Sequence, residues 1–269
     1  MEERIFERTI ERSMTAVSQS GLVLISSTGV FIAMLFWIVL RSIFCQFVGV
    51  MRLPLACVCT SICFLPLSLL VLPIASRYLR SRMGKEPLKL QEFFHQHWKH
   101  IAALFLLAIG ALVGEVALGI LVGLWYGFGS IPVVGTAFYI LSSWVPSLLV
   151  SLMAVGVLSS GAALASLGAA LAQNPAIEQK SFWSELFSHL RCHWLARLKL
   201  LAIGLVPLIL LYGIAASWTM KGMPRSVEFC ASFFRVGVFS LAGGPLFMFF
   251  VHMSVEADRY VQWLTSKNR

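Results

Sequence analysis

The fold class read from this sequence is all-α and polytopic in a membrane: about six transmembrane helices as three hairpins, each preceded by an amphipathic interfacial helix. Three observations lead there. Of 269 residues, 58% are hydrophobic and only 12% charged, against the about 25% charged that a water-facing domain carries. Apolar runs of the about 20 residues needed to cross about 30 Å of hydrocarbon recur along the chain. Finally, LQEFFHQHWKHIAALFLLAIG from Leu90 and FWSELFSHLRCHWLARLKLLAIG from Phe182 repeat a Glu, a Phe, a His-Trp pair and the string Leu-Leu-Ala-Ile-Gly. The chain reads as a single transmembrane domain, 1–269, with repeat-like units 1–75, 76–172 and 173–269.

The first element is a surface helix. MEERIFERTIERSMTAVSQSG carries four Glu beside three Arg in its first twelve residues, unlike the short, net-positive start of a secretory leader. Ile5, Phe6, Ile10, Met14 and Val17 recur at near-helical spacing, which predicts an amphipathic helix lying on the membrane. Spans are then expected at Leu22–Leu40, Leu53–Ala75, Ile101–Leu124, Val145–Leu171, Leu200–Met220 and Val236–Val255. Between Trp125 and Ala172 lie 48 residues without a charge, too many for one helix. The repeat settles their number: if Leu90–Gly110 and Phe182–Gly204 enter the membrane from one side, an even number of crossings separates them. Trp125–Trp144, with Gly127, Gly129, Pro132 and Gly135, is therefore expected as an apolar hairpin dipping into the far interface, where protein or water must satisfy its backbone.

The repeat itself marks interfacial helices, Leu90–His100 and Phe182–Leu198, each placed before a span. Trp98 and Trp194 are their expected anchors at headgroup depth, where an indole buries its ring and keeps its N–H wet. Six spans leave both termini on one side, and that side holds 16 Lys and Arg against 5 on the other. Positive charge collects in the cytoplasm, so both termini, the 76–100 loop and the 173–199 loop are expected there. The two Asn, Asn174 and Asn268, form no glycosylation acceptor, which fits a bacterial inner membrane.

The net charge of +9 lies in the gaps between apolar runs, without a stripe of stacking aromatics. It predicts the bilayer and its anionic headgroups as partners, together with a membrane-protein partner or a second copy, and no nucleic acid. Residues Ser76–Phe94, SRYLRSRMGKEPLKLQEFF, resemble a segment of uncharacterised multi-pass bacterial membrane proteins. There an Arg-aromatic span end leads to a Gly-Lys-x-Pro turn and an amphipathic helix with a Phe. The matching positions are Arg77, Tyr78, Gly84, Lys85, Pro87, Phe93 and Phe94, and the resemblance implies no reaction or ligand.

Glu115 is the ionisable group deepest in an expected span, and such a group usually faces the bundle interior or a watery cavity. It borders the stripe Gly119, Gly123, Gly127, which a neighbouring helix can approach closely. Two readings stand side by side: a proton or cation site, and a neutral Glu hydrogen-bonded to Ser or backbone on a packed helix. His252 and Glu256, one turn apart, are an ordinary i,i+4 pair or the mouth of a proton path. His189 and His193 are spaced to share a helix face, but Leu190 stands where the metalloprotease arrangement has Glu. Cys59 and Cys63 are spaced for a soft metal or for packing as small apolar groups. Gly243-Gly244-Pro245 is the best candidate for a broken helix of the kind that lines transporter sites. No nucleophile elbow, phosphate loop or dinucleotide fingerprint is present, so no catalytic, cofactor or metal site is expected. The reading is a non-enzymatic membrane protein that organises a complex or the bilayer, with a small carrier or channel subunit using Glu115 as the alternative.

Overall fold

The computed structural model describes residues 2–18, 22–44, 52–86, 89–131, 135–136, 140, 142–173, 194–217 and 225–267. Among them are seven α-helices and no strand: α1 Glu2–Ser18, α2 Val23–Phe44, α3 Arg52–Arg82, α4 Leu90–Gly129, α5 Val145–Gln173, α6 Trp194–Ser217 and α7 Arg225–Lys267. Five of them, α2, α3, α4, α5 and α7, are long and apolar enough to cross a membrane, and α6 contains a shorter apolar helix, Leu201–Leu211. The chain is a multi-pass, all-helical membrane protein.

Consecutive long helices pack on one another, α2 on α3, α4 on α5 and α6 on α7, and α3 and α7 hold these pairs together. α7 is the central helix: 67% of the apolar window in Phe233–Val261 is buried, against 28% or less in the other spans. One core joins Val71, Ile74 and Ala75 of α3 to Met248, Val251 and Val255 of α7, with Leu22 at the foot of α2. A second joins Leu72 of α3 to Phe93, Leu104 and Ala108 of α4 and Leu164 and Leu171 of α5. The outward faces stay apolar, with Leu106, Val113, Ile120, Leu152, Val155 and Leu241 exposed. That is the inverse of a soluble protein's surface and suits a hydrocarbon solvent.

Small residues set the closest approaches between helices. A Cβ on Gly29 of α2 would meet the Leu70 side chain, and one on Gly168 of α5 would meet Val71. A Cβ on Gly244 of α7 would land on the Ser27 backbone, and Ser26 Oγ donates to the Gly244 carbonyl at 2.9 Å. This corrects one expectation. Gly243-Gly244-Pro245 does not break its helix; it lies inside a continuous α7 and lets α2 come close.

The expected surface helices differ from expectation as well. α1 does not meet lipid with its whole apolar stripe, because Ile10 and Val17 pack on Phe249, Met253 and Ala257 of α7. The 90–100 segment is joined to its span in α4, bent at His97 (φ −110°, ψ 15°) rather than at His100. The Phe182–Leu198 segment lies outside the described residues up to Cys192 and His193; from Trp194 it is the start of α6. In the expected hairpin at Trp125–Trp144, Trp125–Gly129 instead extend α4. Beyond it, Gly135 lies against the Gly129 backbone, and Trp125 Nε1 donates to Ser142 Oγ at 3.1 Å.

Candidate functional site

The polar groups of this bundle gather where α1 crosses the C-terminal ends of α3 and α7. α3 carries Tyr78 and Arg82 one turn apart, and α7 carries His252, Glu256 and Arg259 at the same helical spacing, so each helix presents its polar residues on one face. The faces meet on a single carboxylate oxygen. Tyr78 Oη donates to Glu256 Oε1 at 2.8 Å, while Arg82 Nε and Arg259 Nη1 lie 3.3 and 3.6 Å from the same atom. Tyr78 and Glu256 are buried, whereas the Arg82 and Arg259 side chains reach solvent. Two partly solvated cations and one phenol thus keep a buried carboxylate satisfied, the condition for tolerating such a group.

His252 does not bond to Glu256, as an i,i+4 pair would. Its ring stacks on Tyr78 with centroids 4.2 Å apart and planes 16° from parallel. Its Nδ1 lies 3.4 Å from the Ser13 carbonyl of α1, so the tautomer that fits carries the proton on Nδ1. The two residues of the expected proton-path mouth are therefore brought together through Tyr78, and His252 ties α1 to α7.

Beside this network lies a cavity of about 660 Å³ between α1 and the end of α3. Its rim carries Arg12 of α1, Arg77 and Arg82 of α3, and Lys85. The turn that holds Lys85 is fixed by Gly84, which sits at φ 67°, a conformation that costs other residues about 1–2 kcal/mol. The Lys85 N–H returns to the Arg80 carbonyl at 2.9 Å and the Gly84 N–H to Ser81 at 3.1 Å, which closes the end of α3.

No family model, curated protein or solved structure matches this chain.

Glu115 is buried between α4 and α5, with 3% of its surface exposed. Its Oε1 lies against Gly156, where a Cβ would collide with it. Its Oε2 has no hydrogen-bond partner among the described residues, so the bond to Ser or backbone expected there is not formed by that oxygen. The glycine stripe makes less of a contact than its spacing suggests. Gly119 is buried at ordinary distances from Met153 and Val58, Gly123 is half-buried, and Gly127 is exposed with nothing within 4 Å. The small residue that does receive a neighbour is Gly156, across from Glu115.

Trp98 is exposed on α4, just past the bend, and the side chain of Trp194 lies outside the described residues, as do His189 and His193. The Cys63 thiol lies 3.0 Å from the Ala33 carbonyl and 3.2 Å from the Cys59 carbonyl, so it serves helix packing. Sequence reasoning missed Tyr78 and Arg82 as partners of Glu256 and missed the cavity altogether. Its one available signal was the density of Arg and Lys from Arg77 to Lys85.

Proposed function

We propose that this chain is a non-enzymatic inner-membrane protein that organises a membrane complex or the bilayer from its cytoplasmic face. In this reading six spans form three hairpins, with α6 as the fifth crossing, and both termini lie in the cytoplasm. The observation that carries it is the seating of α1. The helix packs Ile10 and Val17 on α7 and is tied down by His252, while Glu7, Arg8, Glu11, Arg12 and Met14 face outward. A polar helix clamped across the end of a bundle is a fixed surface at headgroup level, suited to holding a neighbour.

The test is the size of the particle in native membranes. The full chain, gently solubilised and run on a native gel, should migrate as a complex larger than one copy in its detergent belt. Replacing the exposed Glu7 and Arg8 with Ser should return it to one copy, while thermal stability stays within about 0.5 kcal/mol, as for surface changes in general. A single-copy particle with the natural sequence would contradict the complex.

A second reading, a small secondary carrier or channel subunit, is favoured by one feature: Glu115 Oε2 is buried without a partner among the described residues. Buried, unbonded carboxylate oxygen is what a proton or cation would seek.

A further inference from the structure

We propose that the cavity between α1 and the end of α3 binds the phosphate group of an anionic phospholipid. The lining is of two chemical kinds. Arg12, Arg77, Arg82 and Lys85 surround it with positive charge, and Glu11 is the acid among the residues lining it. Arg82 is neutralised by Glu256 at 3.3 Å. Arg12, Arg77 and Lys85 have no ion pair among the described residues, so three unpaired cations share one concave space with a single lining acid, Glu11. Such an arrangement concentrates anions, and guanidinium groups fit phosphate oxygens in bidentate pairs. The lining also includes Leu22 and Ile74, buried side chains that give the cavity an apolar wall.

Free phosphate has no use for that wall. A phospholipid does, because its glycerol and first methylenes follow the phosphate. The site also stands at the end of the apolar spans, where headgroups lie. The chain closes around it in a way that holds the cations in place: Gly84 in its left-handed conformation returns Lys85 to α3, and the His252 contact with Ser13 holds α1 and so Arg12. The proposal deepens the organising role, since it rests on this end of the bundle lying at headgroup level, and it names what α1 is clamped over.

The experiment is native mass spectrometry of the purified full-length chain in detergent, supplied with equal phosphatidylglycerol and phosphatidylcholine. Phosphatidylglycerol should be retained in preference. Arg77→Gln and Lys85→Gln should each weaken its retention about fivefold, the equivalent of about 1 kcal/mol per basic residue at an anionic surface. Arg12→Gln, on exposed α1, should do the same without touching the bundle. Lys99→Gln, at an exposed lysine that does not line the cavity, should change nothing. Inorganic phosphate added in excess should not displace the lipid. Equal retention of the two lipids, or an effect of Lys99→Gln as large as that of Lys85→Gln, would overturn the site. Displacement by phosphate as complete as by excess phosphatidylglycerol would overturn the lipid as its source. Lost lipid preference with an intact complex on native gels would remove this site and leave the organising role, and the reverse outcome would do the opposite.

Discussion

Glu115 and Glu256 are both buried carboxylates, and their surroundings assign them different work. Glu256 meets Tyr78, Arg82 and Arg259 at one oxygen, so Tyr78→Phe should lower stability by about 1.5–3 kcal/mol in thermal unfolding, as loss of a buried hydrogen bond to a charged group does. Solvent around Arg82 and Arg259 keeps the effect of losing either cation alone smaller. Glu115 has Gly156 at one oxygen and no partner at the other among the described residues. In the organising account Glu115→Gln leaves growth and flux unchanged, and Glu115→Leu raises stability by about 1–2 kcal/mol, because an unsatisfied polar group leaves the core. A stable Glu115→Gln protein that loses transport would instead establish the carrier. Gly84→Ala should cost about 1–2 kcal/mol through φ alone, since nothing lies within 4 Å of the added Cβ. The sequence made Glu115 and the His252–Glu256 pair legible because depth in a span and one-turn spacing are local signals. Tyr78 lies 178 residues from Glu256, and no spacing rule reports which two helices face each other.

At the scale of the helix, hydropathy marks lengths apolar enough to cross a membrane and says less about where helices end. Val145–Leu171 was expected and α5 runs Val145–Gln173; by contrast α7 continues from the expected end at Val255 to Lys267, and α4 from Leu124 to Gly129. The reason is physical: a run of apolar residues ends where the solvent changes, whereas a helix ends where its hydrogen-bond ladder stops. In α7, Glu256, Asp258 and Arg259 carry the ladder on past the apolar run. The repeat likewise pointed to a bend before the span in α4, and His97 supplies it. Two glycines of α7 give a sharp comparison. Gly244→Ala should destabilise by about 1–3 kcal/mol or more, because the Cβ would meet the Ser27 backbone rather than a movable side chain. Gly237→Ala, with nothing within 4 Å, should stabilise by up to about 1 kcal/mol through helix propensity. Thermal unfolding of the two variants in one detergent checks both signs.

Across the whole molecule, the C-terminal end of α3, the C-terminal half of α7, the start of α2 and the helix α1 lie together, and they bring Arg12, Arg77, Arg82 and Lys85, the polar network and the cavity to one end. The C-terminal end of α4, with Ser130 and Gly135 beyond it, carries no charged residue from Trp125 to Ile131. The excess of Lys and Arg in the loops expected on the side of the cavity is the basis for proposing that the cavity end faces the cytoplasm, and both the proposed organising role and the proposed phospholipid site depend on it. The most direct measurement is labelling with a membrane-impermeant maleimide in intact cells, in a chain whose six cysteines have been replaced. Glu86→Cys, beside the cavity, should react only after the membrane is permeabilised, whereas Ser130→Cys should react from outside. Labelling of Glu86→Cys in intact cells, or of both positions from the same side, would contradict the account.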